Sequence, residues 1–410
     1  MRRALVGILV ATLGLAALPS CATNKDVCGV LRDDLKRCGV PVLELDCGRL
    51  ELSAEEALVS RIETRGCEGL AAQGTEDVDP RLCALTGWPC PASPTPAPGT
   101  SVSRFPLVFV SGIDGSPVFD WNPRIVSALK AAGGTEAYHV QVLPWATTAE
   151  RGADLWQSLE SLRAHLGTKL NLVCYAVGGL DCRYVTSPNG LFKGDATGYA
   201  KVADSVASVT TVSTPHRGTR VAEAALALLD SSAAHDLIQS LIGDAAPTVP
   251  DDAALRRTLK GLTLEALLTF NHEITDAPGI YYQSWAGVSH VLAKTSDASE
   301  KSIREHCTDN TGALLFLRNK DTRDAMNQLL FVTAPFSSTT LGDEGNVVLS
   351  PSDGMVSVES AKWGVFRGCI PADHYDVIGQ IGNRTRDGLT GFDAPEFYRF
   401  LASDLATRGF

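Results

Sequence analysis

The stretch from Lys169 to Leu180 constrains the fold of this chain more than any other. Lys169 to Tyr175 (KLNLVCY) is a short, nearly continuous apolar run, the pattern of a strand buried on both faces. It runs into Ala176-Val177-Gly178-Gly179, where paired glycines allow a tight turn and a helix start packed close to its neighbours. A buried strand that turns straight into a helix belongs in a sheet covered by helices, and the flanking sequence alternates to match. Phe105 to Val110 (FPLVFV), Ala137 to Leu143 (AYHVQVL) and Val206 to Val212 (VASVTTV) read as further strands. Residues 123–132 and 155–166 read as helices. The expected class is α/β, with a mostly parallel central sheet and chemistry at the carboxyl ends of its strands.

The 410 residues suffice for one large domain and one small one. Residues 1–20 read as a signal peptide: Arg2 and Arg3 precede an apolar run, Ala4 to Leu18, too short to span a bilayer comfortably. Leu18-Pro19-Ser20-Cys21 resembles a bacterial lipobox, in which the cysteine becomes an acylated N-terminus. Pro19 departs from the usual small residue, and plain secretion is the alternative. Residues 21–90 form a small cysteine-rich module containing Cys28, Cys38, Cys47, Cys67, Cys83 and Cys90. Setting Cys21 aside from the eleven cysteines leaves an even number, which suits an oxidising compartment. With no C-x-x-C pair and no histidine there, disulfides are expected over zinc. The module reads equally as an adhesion unit or a spacer. Residues 91–103 are a proline-rich linker, and residues 104–410 the main domain. A net charge of −11 argues against nucleic acid as a partner. The expected location is the cell envelope, as an outer-membrane lipoprotein held by its N-terminal lipid anchor, or the extracellular space.

The turn at residues 174–178 (CYAVG) has the layout of a G-x-S-x-G nucleophile elbow, with Ala176 at the serine position. Further motifs keep the matching order: Phe109 to Gly115 (FVSGIDG), Arg183-Tyr184-Val185, Val206 to Gly218 (VASVTTVSTPHRG) and Tyr282 to Trp285 (YQSW). Together they make the chain resemble the bacterial triacylglycerol lipases of Pseudomonas and Burkholderia type. The resemblance is close over residues 104–219 and looser beyond. Ser111 stands where that family has histidine, and Ser213 where it has glycine.

The resemblance implies an α/β-hydrolase fold preceded by the small disulfide-rich module. It makes Asp353, in Ser352 to Val356 (SDGMV), the triad acid and His374, in Asp373 to Gln380 (DHYDVIGQ), the base. The backbone amides of Ile113 and Val177 become the oxyanion donors. It also implies a structural calcium site holding the His374 loop, from the Asp376 carboxylate, the Gln380 carbonyl and a second carboxylate, Asp321, with Asp324 competing. Cys307 and Cys369 are candidates for a bridge acting on the same loop, although the family's own disulfide maps elsewhere. Cys174 and Cys182 are either small buried residues or a local pair. Val221 to Leu229 and Leu237 to Ile242 fall where the family places a mobile lid; an ordinary buried helix pair is the alternative.

Without a hydroxyl at position 176, His374 has only water to deprotonate. Losing such a nucleophile costs on the order of 10⁶ in kcat, or about 8 kcal/mol. Ser111 is the alternative nucleophile, whereas Cys174 should point away from the cleft. Cys174, Ser111 and Ser213 also depart from the family pattern, which fits natural drift better than an engineered alanine. The expectation is a lipase-like protein without serine-hydrolase activity that binds a lipid or ester in the envelope. An active carboxylic ester hydrolase using Ser111 or an activated water is the alternative, and a purely structural role a third.

Overall fold

The computed structural model describes residues 103–114, 119–131, 135–229, 252–291, 297–307, 324–341, 346–380, 385–387 and 390–410, with Val30 and Arg37 standing alone upstream. Residues 1–20, read above as a signal peptide, Cys21, the expected cysteine-rich module apart from those two residues, residues 91–102 of the linker, Leu237 to Ile242 and Asp321 lie outside these residues.

Eight strands are described: β1 (Leu107–Val110), β2 (Ala137–Val140), β3 (Leu170–Tyr175), β4 (Val206–Val212), β5 (Tyr281–Gly287), β6 (Thr339–Leu341), β7 (Val347–Leu349) and β8 (Val365–Ile370). Six form one sheet in the order β2-β1-β3-β4-β5-β8, every neighbouring pair parallel. β6 and β7 form a separate antiparallel hairpin. The helices that concern the site are α1 (Pro123–Ala131), α2 (Thr148–Leu166), α3 (Gly178–Thr186), α4 (Ala196–Ser205), α5 (Arg220–Leu228), α6 (Asp252–Gly261), α7 (Leu264–Glu273), α8 (Asp297–His306) and α9 (Ala394–Thr407). Among the described residues no helix is long and apolar enough to cross a membrane.

The near-continuous apolar strands follow from burial on both faces. Phe109, Val173, Tyr175 and Trp285 enter one core with Ile125 and Leu129 of α1 and Phe397, Tyr398 and Leu401 of α9. Their chain neighbours Val108, Leu172 and Cys174 enter another with Val209 of β4, Leu155, Trp156 and Leu159 of α2 and Val202 of α4. β2 stops at Val140, short of the expected Leu143, because the next amides leave the ladder: Val142 N–H donates to Ser111 Oγ (3.2 Å) and Leu143 N–H to Asp154 (3.0 Å). α2 starts well before Leu155, since Thr147 and Glu150 form a reciprocal capping box there.

The sheet order determines where a site can sit. From β1 the chain steps outward to β2 and then returns to place β3 on the other side of β1. At such a reversal the connections leave on opposite faces and open a crevice at the carboxyl ends of the strands. Ser111 to Ile113 follow β1 there, and Ala176 follows β3.

Candidate active site

The turn after β3 is held from several sides. Ala176 has φ 47°, in the left-handed region that costs an L-residue roughly 1–2 kcal/mol. Its N–H donates to Val212 O (3.0 Å), and its carbonyl accepts from Gly179 N–H (3.1 Å). A Cβ on Gly178 would lie 2.4 Å from Ser111 O, and one on Gly179 would lie 2.1 Å from Thr214 Oγ1. Both glycines are therefore required by close approach of neighbouring strand ends. Cys174 and Cys182, both fully buried, form a disulfide that ties β3 to α3 across the turn. In the chain-entropy description a loop this short yields about 2–3 kcal/mol. The local-pair reading of these cysteines is the one the structure adopts.

Asp353 and His374 come together from separate loops, one after β7 and one after β8. His374 Nδ1 lies 2.8 Å from Asp353 Oδ2, and both residues are buried. The other carboxylate oxygen accepts from Met355 N–H (2.9 Å) and Val356 N–H (2.7 Å), so the carboxylate cannot rotate away. His374 N–H donates in turn to Asp353 O (2.9 Å). A proton on Nδ1, facing the carboxylate, leaves Nε2 as the basic nitrogen. The Tyr175 hydroxyl, beside the elbow, donates to His374 O (2.8 Å).

The loop after β1 is clamped from below by a residue that sequence reading passed over. Arg151, fully buried on α2, donates to Gly112 O (2.6 Å), Ile113 O (3.1 Å) and Leu143 O (2.6 Å). It also pairs with buried Asp181 of α3, Nε to Oδ2 at 2.8 Å. Burial pushes the Asp181 carboxyl up to about 6 despite the opposing Arg151 charge. Among the described residues neither Ile113 N–H nor Val177 N–H donates a backbone hydrogen bond. The Ser111 hydroxyl is fully buried and accepts from Val142 N–H.

In sequence, the chain is similar to triacylglycerol lipases among known proteins. The chain is 26% identical over 252 residues to triacylglycerol lipase 2 of Saccharomyces cerevisiae, covering 59% of this chain and 58% of that one. It is 28% identical over 223 residues to a triacylglycerol lipase of Vibrio cholerae, covering 47% and 65%. With the Burkholderia plantarii triacylglycerol lipase the figures are 30% over 152 residues, 35% and 38%. The chain is a lipase-like α/β-hydrolase.

The matched part spans less than two thirds of each of these relatives' own length. No protein-family model matches the chain. Similar solved structures include a lipase of Pelosinus fermentans (TM-score 0.46, 15% identity, 74% of this chain and 99% of that one). Staphylococcus hyicus lipase is another (TM-score 0.44, 17% identity, 75% and 97%).

Elsewhere in this lipase-like domain, the PHRG segment proves to be a brace. His216 is fully buried and bonds Thr211 through Nε2 (2.8 Å) and Arg183 through Nδ1 (3.3 Å). Burial and the Arg183 and Arg217 charges push its pKa well below the usual histidine range, so it stays neutral. Arg183 stacks on Trp363 at 3.3 Å and donates to Asn271 Oδ1 (2.8 Å). Arg217 donates to the carbonyls of Glu359 (2.8 Å) and Lys362 (2.7 Å). Ser213 has φ 52°, which accounts for the family's glycine at that position.

Asp324, Asp373 and Asp376 gather with carboxylate oxygens within 4.8 Å of one another. Three hard oxygen donors are a fitting set for a divalent cation such as calcium. Burial pushes Asp373 up to about 6 even though three backbone amides, of Asp376, Asn327 and Tyr375, oppose the shift. Of the two carboxylates that compete in the sequence, Asp324 lies beside Asp376, while Asp321 lies outside the described residues. Gln380 turns its side-chain amide to Asp120 O (2.9 Å). Cys307 and Cys369 are bridged, fastening the end of α8 to β8 just before the His374 loop.

Proposed function

We propose that this lipase-like α/β-hydrolase binds a lipid or carboxylic ester without hydrolysing it. One observation carries the reading. Ala176 keeps the left-handed conformation of a nucleophile elbow, beside an Asp353–His374 pair bonded at 2.8 Å, yet its methyl group offers nothing to deprotonate. His374 is then a base without a nucleophile. Ile113 and Val177 are the amides that would face an ester carbonyl. A long acyl ester is the ligand class proposed, a reading supported by relatives described as triacylglycerol lipases. Ser111 is the weaker candidate nucleophile, because its hydroxyl is fully buried and already engaged by Val142 N–H.

The envelope setting belongs to the same proposal. Residues 1–20 direct export, and acylated Cys21 anchors the chain to a membrane, with the main domain beginning near residue 104. Asp324, Asp373 and Asp376 would hold calcium through their carboxylates, and the bound ion would offset their charge and steady the loop carrying His374.

The test is hydrolysis of short- and long-chain esters by the native chain, Ala176→Ser, and Ala176→Ser with His374→Ala. The expected result is an inert native protein, a gain with serine, and loss of that gain with His374. Turnover by the native chain that disappears in His374→Ala would overturn the proposal and return attention to Ser111.

A further inference from the structure

Tyr175 meets both the His374 loop and the loop after β1. It is the last residue of β3, directly before Ala176, and is fully buried. Its hydroxyl donates to the His374 carbonyl at 2.8 Å. Its ring lies 5.0 Å from the imidazole, centroid to centroid, and tilted by 41°. A Cβ on Gly112 would lie 2.9 Å from Tyr175 Cδ1, so the loop after β1 rests on this ring and needs glycine there. We infer that Tyr175 is a positioning residue that locks His374 in register with the elbow and the 111–113 loop.

Among the described residues, three hydrogen bonds hold His374. Its N–H is tied to Asp353 O at 2.9 Å, its imidazole to the Asp353 carboxylate, and its carbonyl to Tyr175. The first two anchors come from the same loop and would move with it. Tyr175 alone of these three fixes the pair to the sheet. Removing its hydroxyl leaves a buried carbonyl without that partner and frees the His374 backbone to shift relative to position 176. Burial, aided by the charges of Asp353 and Asp373, keeps the phenol well above its usual pKa and therefore a donor throughout the physiological range.

The inference rests on reading Asp353 and His374 as the acid–base pair, and the test separates the two ideas. Tyr398 supplies a matched control: it is also fully buried, and its hydroxyl donates to a backbone carbonyl, Val377 O, at 2.8 Å. The full chain, labelled with ¹⁵N-histidine, is examined as native protein, Tyr175→Phe and Tyr398→Phe for the low-field Nδ1–H resonance of the His374–Asp353 bond. Tyr175→Phe is expected to shift or broaden that resonance and Tyr398→Phe to leave it in place, with similar losses of thermal stability. In the Ala176→Ser background, Tyr175→Phe is expected to lower kcat about tenfold at nearly constant KM. If Tyr175→Phe does not fold, Tyr175→His, which keeps a ring but cannot reach the carbonyl, replaces it. Equal effects from Tyr175→Phe and Tyr398→Phe, or no effect on the resonance, would overturn the inference. An inert Ala176→Ser protein would count against the proposed function, while the resonance in the native chain would still decide the role of Tyr175.

Discussion

The ends of β3 and β4 are neighbours built on one plan and put to different uses. Each runs into a non-glycine residue in the left-handed region, Ala176 at φ 47° and Ser213 at φ 52°. Each turn is pinned to the next strand by its own amide, Ala176 to Val212 O and Ser213 to Trp285 O, both at 3.0 Å. After β4 the polar groups close on one another: His216 on Thr211 and Arg183, Arg217 on the carbonyls of residues 359 and 362. After β3 the turn residue carries only a methyl group. The comparison teaches that such a turn owes its geometry to packing and hydrogen bonds, not to the group it displays. A single substitution at position 176 can therefore change the chemistry and spare the shape.

The largest effect should come from restoring the displayed group. Ala176→Ser is expected to raise ester hydrolysis by several orders of magnitude, within the roughly 10⁶-fold range that a serine nucleophile commands. Steady-state assays with and without His374→Ala read this directly. No gain would mean that the two strand ends are alike after all, both purely structural.

Next in size is the clamp beneath the β3 side. Arg151→Leu strands Asp181 as a buried charge and should cost about 3–5 kcal/mol in denaturant unfolding, with partial recovery in the Arg151→Leu, Asp181→Leu pair. Gly179→Ala drives a methyl into Thr214, the point where the two turns touch, and should cost about 1–3 kcal/mol.

The β4 side makes a pH prediction. His306 and Lys362 hold Glu359 down to about 2, well below its ordinary value of 4.5. A depressed carboxylate adds stability above its unfolded pKa and loses it as pH falls through the folded one. Glu359→Gln should therefore flatten the loss of stability between about pH 4.5 and 2, and cost about 1–2 kcal/mol at pH 7 once solvent screening of this half-buried group is allowed for. Smallest of all, Ala176→Gly should stabilise the fold by about 0.5–1 kcal/mol by relieving the left-handed alanine. A loss instead would show that the turn is less strained than its φ implies.

Much of this was legible in the chain. Largely apolar runs located β1, β3 and β4, because strands buried on both faces carry few polar side chains. The order of the turn, Asp353 and His374 pointed to the candidate site, because sequence motifs report which chemistry a backbone can display. Arg151 and Tyr175 escaped notice for the opposite reason. Arg151 sits in a helix and Tyr175 in a strand, both of ordinary pattern, and their meaning lies in carbonyls to which they bond far along the chain. The acidic cluster was half legible: Asp376 lay in a motif, but only the fold brought Asp324 beside it.

By itself the sequence determined an α/β sheet, an alanine at the turn after β3 and Asp353 and His374 as a candidate pair, since local pattern and residue order suffice for these. The tertiary structure alone decided that Asp353 and His374 meet at 2.8 Å, that Cys174 joins Cys182, and that one tyrosine hydroxyl ties histidine to sheet. Apart from the cysteine pair, eight residues apart, these are contacts between segments whose separation in sequence carries no information about their distance in space. Closing them costs chain entropy that only the assembled core can offset.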